Sequence, residues 1–307
     1  MGEVYGALAP TFILIALGYI IRATGVASAE TFGMVNRFGY FVLYPSFLFT
    51  LVSGAHAGAA GAGLFILGLL LAVSTLMGVA LSTRLIVRAD GPAFTSVFQG
   101  GVRWNGFALL AAAPALYGQA GVDLIGLAFG PMVLFVNVIC VAVLSRWGAA
   151  RATSWRAVLD QIVANPLILG CAAGLAVNFL NVGPLGPVSD ALALLGQAAM
   201  PIALLCVGAG LDFEALRASS LRVAMATALK LIIAPLVFWG VARALGADPL
   251  SAAVAAGMGA TPTAAAGYTL AREMGGDARL MAAIVTATTL ASIITMPLAI
   301  TLVLRSL

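Results

Sequence analysis

Pro10 and Gly18 recur 156 residues later as Pro166 and Gly174, and Pro45 recurs at the same distance as Pro201. Asn105, in GGVRWNG, stands 13 residues before Gly118, and Pro262, in GMGATPT, stands 13 residues before Gly275, an offset of 157 between the pairs. Self-similarity at a nearly fixed period marks a chain built twice from one unit. Each unit is also a set of membrane-length apolar runs. Stretches of about 20 mostly apolar residues, enough to cross a hydrocarbon core, lie at 4–21, 32–52, 61–83, 92–117, 121–145, 158–180, 187–210, 219–243, 249–271 and 279–304. The chain is 62% hydrophobic and 8% charged, against about 25% charged in a soluble domain. It reads as an all-α polytopic membrane protein with ten transmembrane helices.

Five spans per half is an odd number, so the halves enter the membrane in opposite senses. Residues 1–150 form the first five-helix repeat and 151–307 the second, inverted one. Two similar halves facing opposite ways can exchange conformations and expose a midplane site to each side in turn. That expectation favours a secondary carrier over a channel.

The N-terminus, MGEVYG, is acidic where a signal peptide is basic, and the first apolar run has no small-residue cleavage site, so it is expected to remain as span one. Cytoplasmic loops collect Lys and Arg. Arg22, Arg84, Arg88, Arg146, Arg151, Arg156, Arg217, Arg222, Arg272 and Arg279 follow odd-numbered spans, whereas Arg243 and Arg305 mark the other side. Both termini are therefore expected outside. The net charge of +4 serves topology, and no nucleic-acid partner is expected. Cys140, Cys171 and Cys206 fall in apolar runs without metal-ligand spacing. His56 belongs to a loop and reads as solvated; a lone histidine cannot build a histidine-rich metal cluster. No nucleophile elbow, HExxH helix or phosphate-binding loop occurs, so neither an enzyme nor a cofactor is expected.

Spans four and nine break the apolar pattern at mid-segment. Span four carries Gly100, Gly101, Arg103, Trp104, Asn105 and Gly106; span nine carries Gly257, Gly259 and Pro262. Glycine and proline weaken a helix, and although such residues also serve close packing, two at equivalent positions point to two unwound centres. Unsatisfied peptide groups cannot face hydrocarbon, so the breaks are expected to face each other inside the bundle. Half-helix N-termini favour an anion. Arg103 adds a full positive charge, Asn105 an amide, Thr261 and Thr263 hydroxyls, and Trp104 and Tyr268 flat faces. These residues with Pro262 form the candidate substrate site.

Lys230 lies about two turns inside the membrane from Arg222. It binds a substrate carboxylate, occupies the place of a coupling cation, or ties neighbouring carbonyls together; the sequence leaves these open. The acidic residues fall at segment ends or in loops, whereas sodium and proton carriers usually hold a carboxylate in the membrane. The positive centre favours an organic anion.

The motifs FVLYPSFLF, RWNG, NPLILG, MPIALLCVGAGL, LKLIIAPL and PTAAAGYTLAREMGGDA, spread over the whole chain, together resemble the auxin efflux carrier family, in the form of a bacterial member without a long loop between spans five and six. The resemblance implies crossing broken helices at spans four and nine, a scaffold of spans 1, 2, 6 and 7, a transport domain of spans 3–5 and 8–10, and a homodimer through the scaffold. It also implies residence in the bacterial inner membrane, elevator-like movement of the transport domain, and transport of auxin-like or small carboxylate anions such as malonate or malate. On it Asn105 matches the first crossover, Pro262 and Thr263 the second, and Lys230 the lysine of the span-eight motif. Many relatives carry serine or asparagine after Pro-Thr where this chain has Ala264, Ala265 and Ala266, which leaves that side less polar and makes a monocarboxylate with an apolar body an equal expectation. A sodium-coupled symporter and an anion-binding receptor or channel are the alternatives.

Overall fold

A computed structural model describes residues 1–54, 62–87, 90–149, 163–180, 182–183, 185–217 and 220–306. His56, Arg88, Arg151, Arg156 and Asp160 lie outside the described residues, as do residues 158–162 at the start of the expected sixth span. The described elements are helical throughout: α1 Gly2–Ala23, α2 Ala29–Phe38, α3 Tyr44–Ser53, α4 Ala62–Val87, α5 Gly91–Val102, α6 Gly106–Trp147, α7 Pro166–Phe179, α8 Pro187–Ala209, α9 Phe213–Arg217, α10 Ser220–Ala228, α11 Ala234–Ala244, α12 Pro249–Ala260, α13 Ala266–Glu273 and α14 Ala278–Ser306.

By length and composition, six of the described helical stretches can cross a membrane: Gly2–Ala23, Gly63–Leu85, Gly91–Trp147, Pro187–Ala209, Leu221–Ala244 and Ala278–Ser306. The sequence reading expects ten, and the difference has physical causes. Gly91–Trp147 is one stretch that contains a break and a kink, Pro249–Ala260 stops at the second break, and Pro166–Phe179 is short. Between α2 and α3 stands a π-helical turn, Gly39–Leu43, and between α10 and α11 another, Leu229–Ile233. Each precedes a helix whose second residue is proline, Pro45 or Pro235. Proline lacks an N–H and its ring presses on the carbonyl four residues back; a wider turn relieves both faults. Ile13, Leu67, Leu194, Leu236 and Ile294 are exposed along these helices. Their aliphatic side chains are dressed for lipid, and the chain is a multi-pass membrane protein.

Helix α1 packs on α8, and α3 packs on α7 and α8. Glycine makes these crossings close: a methyl at Gly18 would overlap the Leu205 carbonyl, one at Gly208 the Ile15 carbonyl, and one at Gly170 the Pro45 backbone. Small residues that let backbones touch are how helices associate where lipid removes the hydrophobic driving force. Helix α5 packs on α4, α6, α10 and α14, and α12 packs on α6, α11 and α14.

Most acidic side chains stand at helix ends; Asp123, expected at a segment end, is instead buried within α6, its Oδ1 accepting from the Gln119 Nε2 at 2.8 Å. Asp90, Asp212, Asp248 and Asp277 accept backbone N–H bonds at helix starts, from Ala93, Ala215, Ser251 and Leu280, and Glu3, Glu30, Asp190 and Glu214 stand in first turns. Each complements the positive end of a helix. Burial acts to raise the Asp248 carboxyl, but bonds from the Ser251 hydroxyl and nearby backbone N–H groups outweigh it and hold the group below its ordinary value.

Candidate functional site

Helices α5 and α12 are built alike. Each has 12 residues, an aspartate cap and proline in its first two positions, and each ends where the chain turns extended: Arg103 has ψ 140° and Thr261 ψ 153°. Pro262 explains the second stop, because proline pushes the residue before it out of the helical region. Asn105 fixes the restart after the first, as its Oδ1 accepts from the Ala108 N–H 3.2 Å away and caps α6. Beyond the breaks, Gly118 and Gly275 both have positive φ, 64° and 73°. That left-handed geometry at two positions 157 residues apart is what glycine alone adopts without strain.

The two breaks meet. The Asn105 N–H donates to the Pro262 carbonyl at 3.0 Å, and the Thr263 hydroxyl donates to the Gly100 carbonyl at 2.5 Å. The Thr263 N–H donates to the Thr288 hydroxyl on α14, and the Thr261 hydroxyl to the Met258 carbonyl. Carbonyls orphaned at the ends of α5 and α12 are thereby satisfied, as a buried helix end requires.

The structure brings Arg103, Trp104, Asn105, Thr261, Pro262 and Thr263 together in the buried interior. Arg103 is 5% exposed, with its Nε donating to the Gln99 Oε1 at 3.0 Å. Trp104 packs on Phe129, centroids 5.2 Å apart, and Phe129 on Phe107. Lys230 is 1% exposed and donates to the Gly259 carbonyl at 2.8 Å. Of the roles open to it in the sequence, the geometry displays the carbonyl tie, a cation at the negative end of α12. Tyr268 is not drawn into this interior; it lies on α13 with 40% exposure.

Gly100 and Gly101 lie inside α5, Gly257 and Gly259 inside α12, and Gly106 opens α6. They do not form the unwound residues; those are Arg103 to Asn105 and Thr261 to Ala265. The glycines permit contact instead: a methyl at Gly106 would overlap the Phe129 ring, at Gly100 the Ile284 side chain, at Gly257 the Tyr117 hydroxyl, and at Gly259 the Ala234 carbonyl.

The sequence reading passed over Gln99, fully buried one turn before Arg103. Its signal was available: a polar amide in an apolar helix, four residues before a cation, shares that cation's face. The amide nitrogens of Gln99 and Asn105 are both buried without a hydrogen-bond partner. Among the described residues no group of three or more His, Cys, Asp or Glu side chains stands together to hold a metal. The second restart is chemically barer, since Ala265 heads α13 without a side-chain cap.

Residues 151–300 match the family described as membrane transport protein. A protein of Rhizobium meliloti (strain 1021) named "Putative malonate transporter" is 26% identical over 311 residues, covering 96% of this chain and 94% of that one. An "Uncharacterized transporter" of Methanothermobacter thermautotrophicus is 24% identical over 290 residues, covering 93% and 94%. The second half of the chain is thus similar to the membrane transport family, and nearly the whole chain to two transporters.

Proposed function

We propose that this protein is a secondary carrier that moves a small organic anion across the membrane by alternating access. The observation that carries the reading is the meeting of two buried, extended breaks through the Asn105 and Pro262 backbones, with a buried guanidinium beside them. Spans four and nine then hold the substrate between them in an inverted-repeat bundle of ten spans. Most of the described acids stand at helix ends and the buried Asp123 accepts from Gln119 on α6, whereas Arg103 lies at the breaks and Lys230 on the carbonyl of Gly259, so the interior around the breaks suits an anion. The helices around α5 and α12 form the transport domain, and α1, α2, α3, α7 and α8 the scaffold it moves against. The close packing of α1 on α8 and of α3 on α7 and α8 supports the scaffold as one body, and the scaffold is the expected dimer contact. The orientation follows the arginines, with both termini on the outer side of the bacterial inner membrane.

The name of the Rhizobium meliloti relative makes malonate the first substrate to test. The bare Ala264–Ala266 side gives equal standing to a monocarboxylate. Lys230 occupies the Gly259 carbonyl with its own donor, which favours transport without sodium. Ligands of the folded state raise its apparent stability. Purified protein in sodium-free buffer is expected to show a concentration-dependent rise in melting temperature with at least one of malonate, malate, propionate and phenylacetate. A response to these acids that appears only when sodium is added would favour a sodium-coupled symporter, and a flat response with and without sodium would remove the anion reading.

A further inference from the structure

We propose that Gln99 is a substrate-positioning residue of this site, setting the Arg103 guanidinium with its oxygen and offering its amide N–H groups to the same singly charged carboxylate. The inference rests on the anion-carrier reading above and adds to it a residue and a charge state.

Gln99 and Arg103 stand four residues apart on α5 and its cap, so their side chains share one face. The bond from Arg103 Nε to Gln99 Oε1 at 3.0 Å decides which way the amide points: its oxygen is the acceptor, so its nitrogen is turned elsewhere. Asn105 is fixed by the same logic, because its oxygen accepts from Ala108. Both amide nitrogens are consequently oriented, buried and unpartnered. Buried donors in native structures are nearly always bonded, and an orphan asks for an explanation. Two orphans within six residues of each other, flanking a buried guanidinium, are explained together by a ligand that accepts hydrogen bonds. A carboxylate accepts from a guanidinium and from amide N–H groups, and bonds of this charge-assisted kind are the strong ones.

The charge state follows from what surrounds the anion. Arg103 meets a neutral amide, and the Cys140 thiol lies beside it, so its positive charge is available to balance one negative charge. Lys230 is bonded to the Gly259 carbonyl. The second break continues into Ala264, Ala265 and Ala266, which offer a second carboxylate no side-chain donor. Burying a charge without a partner is costly. The favoured ligand is a monoanion, and a dicarboxylate enters with one carboxyl protonated.

The test uses the purified full-length chain and its melting temperature, titrated with propionate and with malonate. Gln99→Met keeps the side chain's length and removes both hydrogen-bonding atoms; Gln99→Glu keeps the acceptor for Arg103 while supplying an internal anion. Gln99→Met is expected to raise the half-saturating propionate concentration at least about tenfold, in line with loss of a bond to a charged group. Gln99→Glu is expected to show no propionate response while its ligand-free melting point stays at or above wild type. A purely structural role would move the ligand-free melting point and leave half-saturation alone. In the wild type, half-saturation by malonate is expected to fall as the pH is lowered towards protonation of its second carboxyl. Wild-type titrations for both Gln99 variants, with an altered one for Asn105→Ala, would overturn the role of Gln99 and leave the site standing. Wild-type titrations for all three would overturn the site itself. Malonate binding that does not tighten at lower pH would overturn the monoanion assignment, and no response of the wild type to either acid would end the proposal.

Discussion

Asn105→Ala is expected to abolish saturable anion uptake while the chain remains folded. The backbone N–H that bonds to Pro262 survives the substitution, so the two breaks stay joined. The side-chain oxygen that caps α6 is lost, at a cost of about 0.5–2 kcal/mol. Against a folding stability of the order of 5–15 kcal/mol that is tolerable. What disappears entirely is the buried amide nitrogen with no partner inside the protein. Uptake of labelled carboxylate into proteoliposomes is expected to fall to the level of protein-free vesicles, with detergent-purified protein still eluting as one species. Asn105→Asp sharpens the result, because it keeps a good helix cap but sets a negative charge beside Arg103. It is expected to be as inactive as alanine and at least as stable. Wild-type uptake by either variant would remove Asn105 from the transport path.

The second large effect belongs to Lys230. Replacing a fully buried lysine with alanine deletes a long stem and leaves a cavity; losses of about 2–5 kcal/mol accompany such truncations. Lys230→Ala is expected to reduce the yield of folded protein severely. Methionine keeps most of the stem and removes the charge and the donor to Gly259, leaving one buried carbonyl unpaired at a cost of about 1–3 kcal/mol. Lys230→Met is expected to fold, to bind carboxylates more weakly, and to transport at least tenfold more slowly, because the negative end of α12 is no longer balanced. Transport by Lys230→Met at the wild-type rate would confine the lysine to holding a helix end.

The repeat landmarks in the sequence located both breaks to within a few residues, because a proline or a polar triplet in an apolar run has few physical uses. The capping role of Asn105 and the extended Thr261 follow from residue type and could be foreseen. The glycines were harder to read. Composition cannot separate a glycine that unwinds a helix from one that lets a neighbouring side chain or carbonyl approach, and Gly100, Gly101, Gly106, Gly257 and Gly259 prove to be of the second kind. The partner of Lys230 was also beyond the sequence, since Gly259 lies 29 residues away and contributes only a backbone oxygen. Tyr268 looked like a site residue because it follows the break by a few positions, but helical rotation carries it to the exposed side of α13. Gln99 was legible in principle, since an amide in an apolar run four residues before a cation shares that cation's face.

Substrate exchange tests the central claim most directly. Proteoliposomes preloaded with the unlabelled carboxylate that most raises the melting temperature are diluted into a trace of the same labelled acid, beside empty vesicles and vesicles bearing Asn105→Ala. A carrier returns to the outer face faster when loaded, so label is expected to accumulate transiently above equilibrium in the preloaded wild-type vesicles alone. Equal entry into preloaded and empty wild-type vesicles, or no entry into either, would contradict alternating access and leave a channel or a receptor.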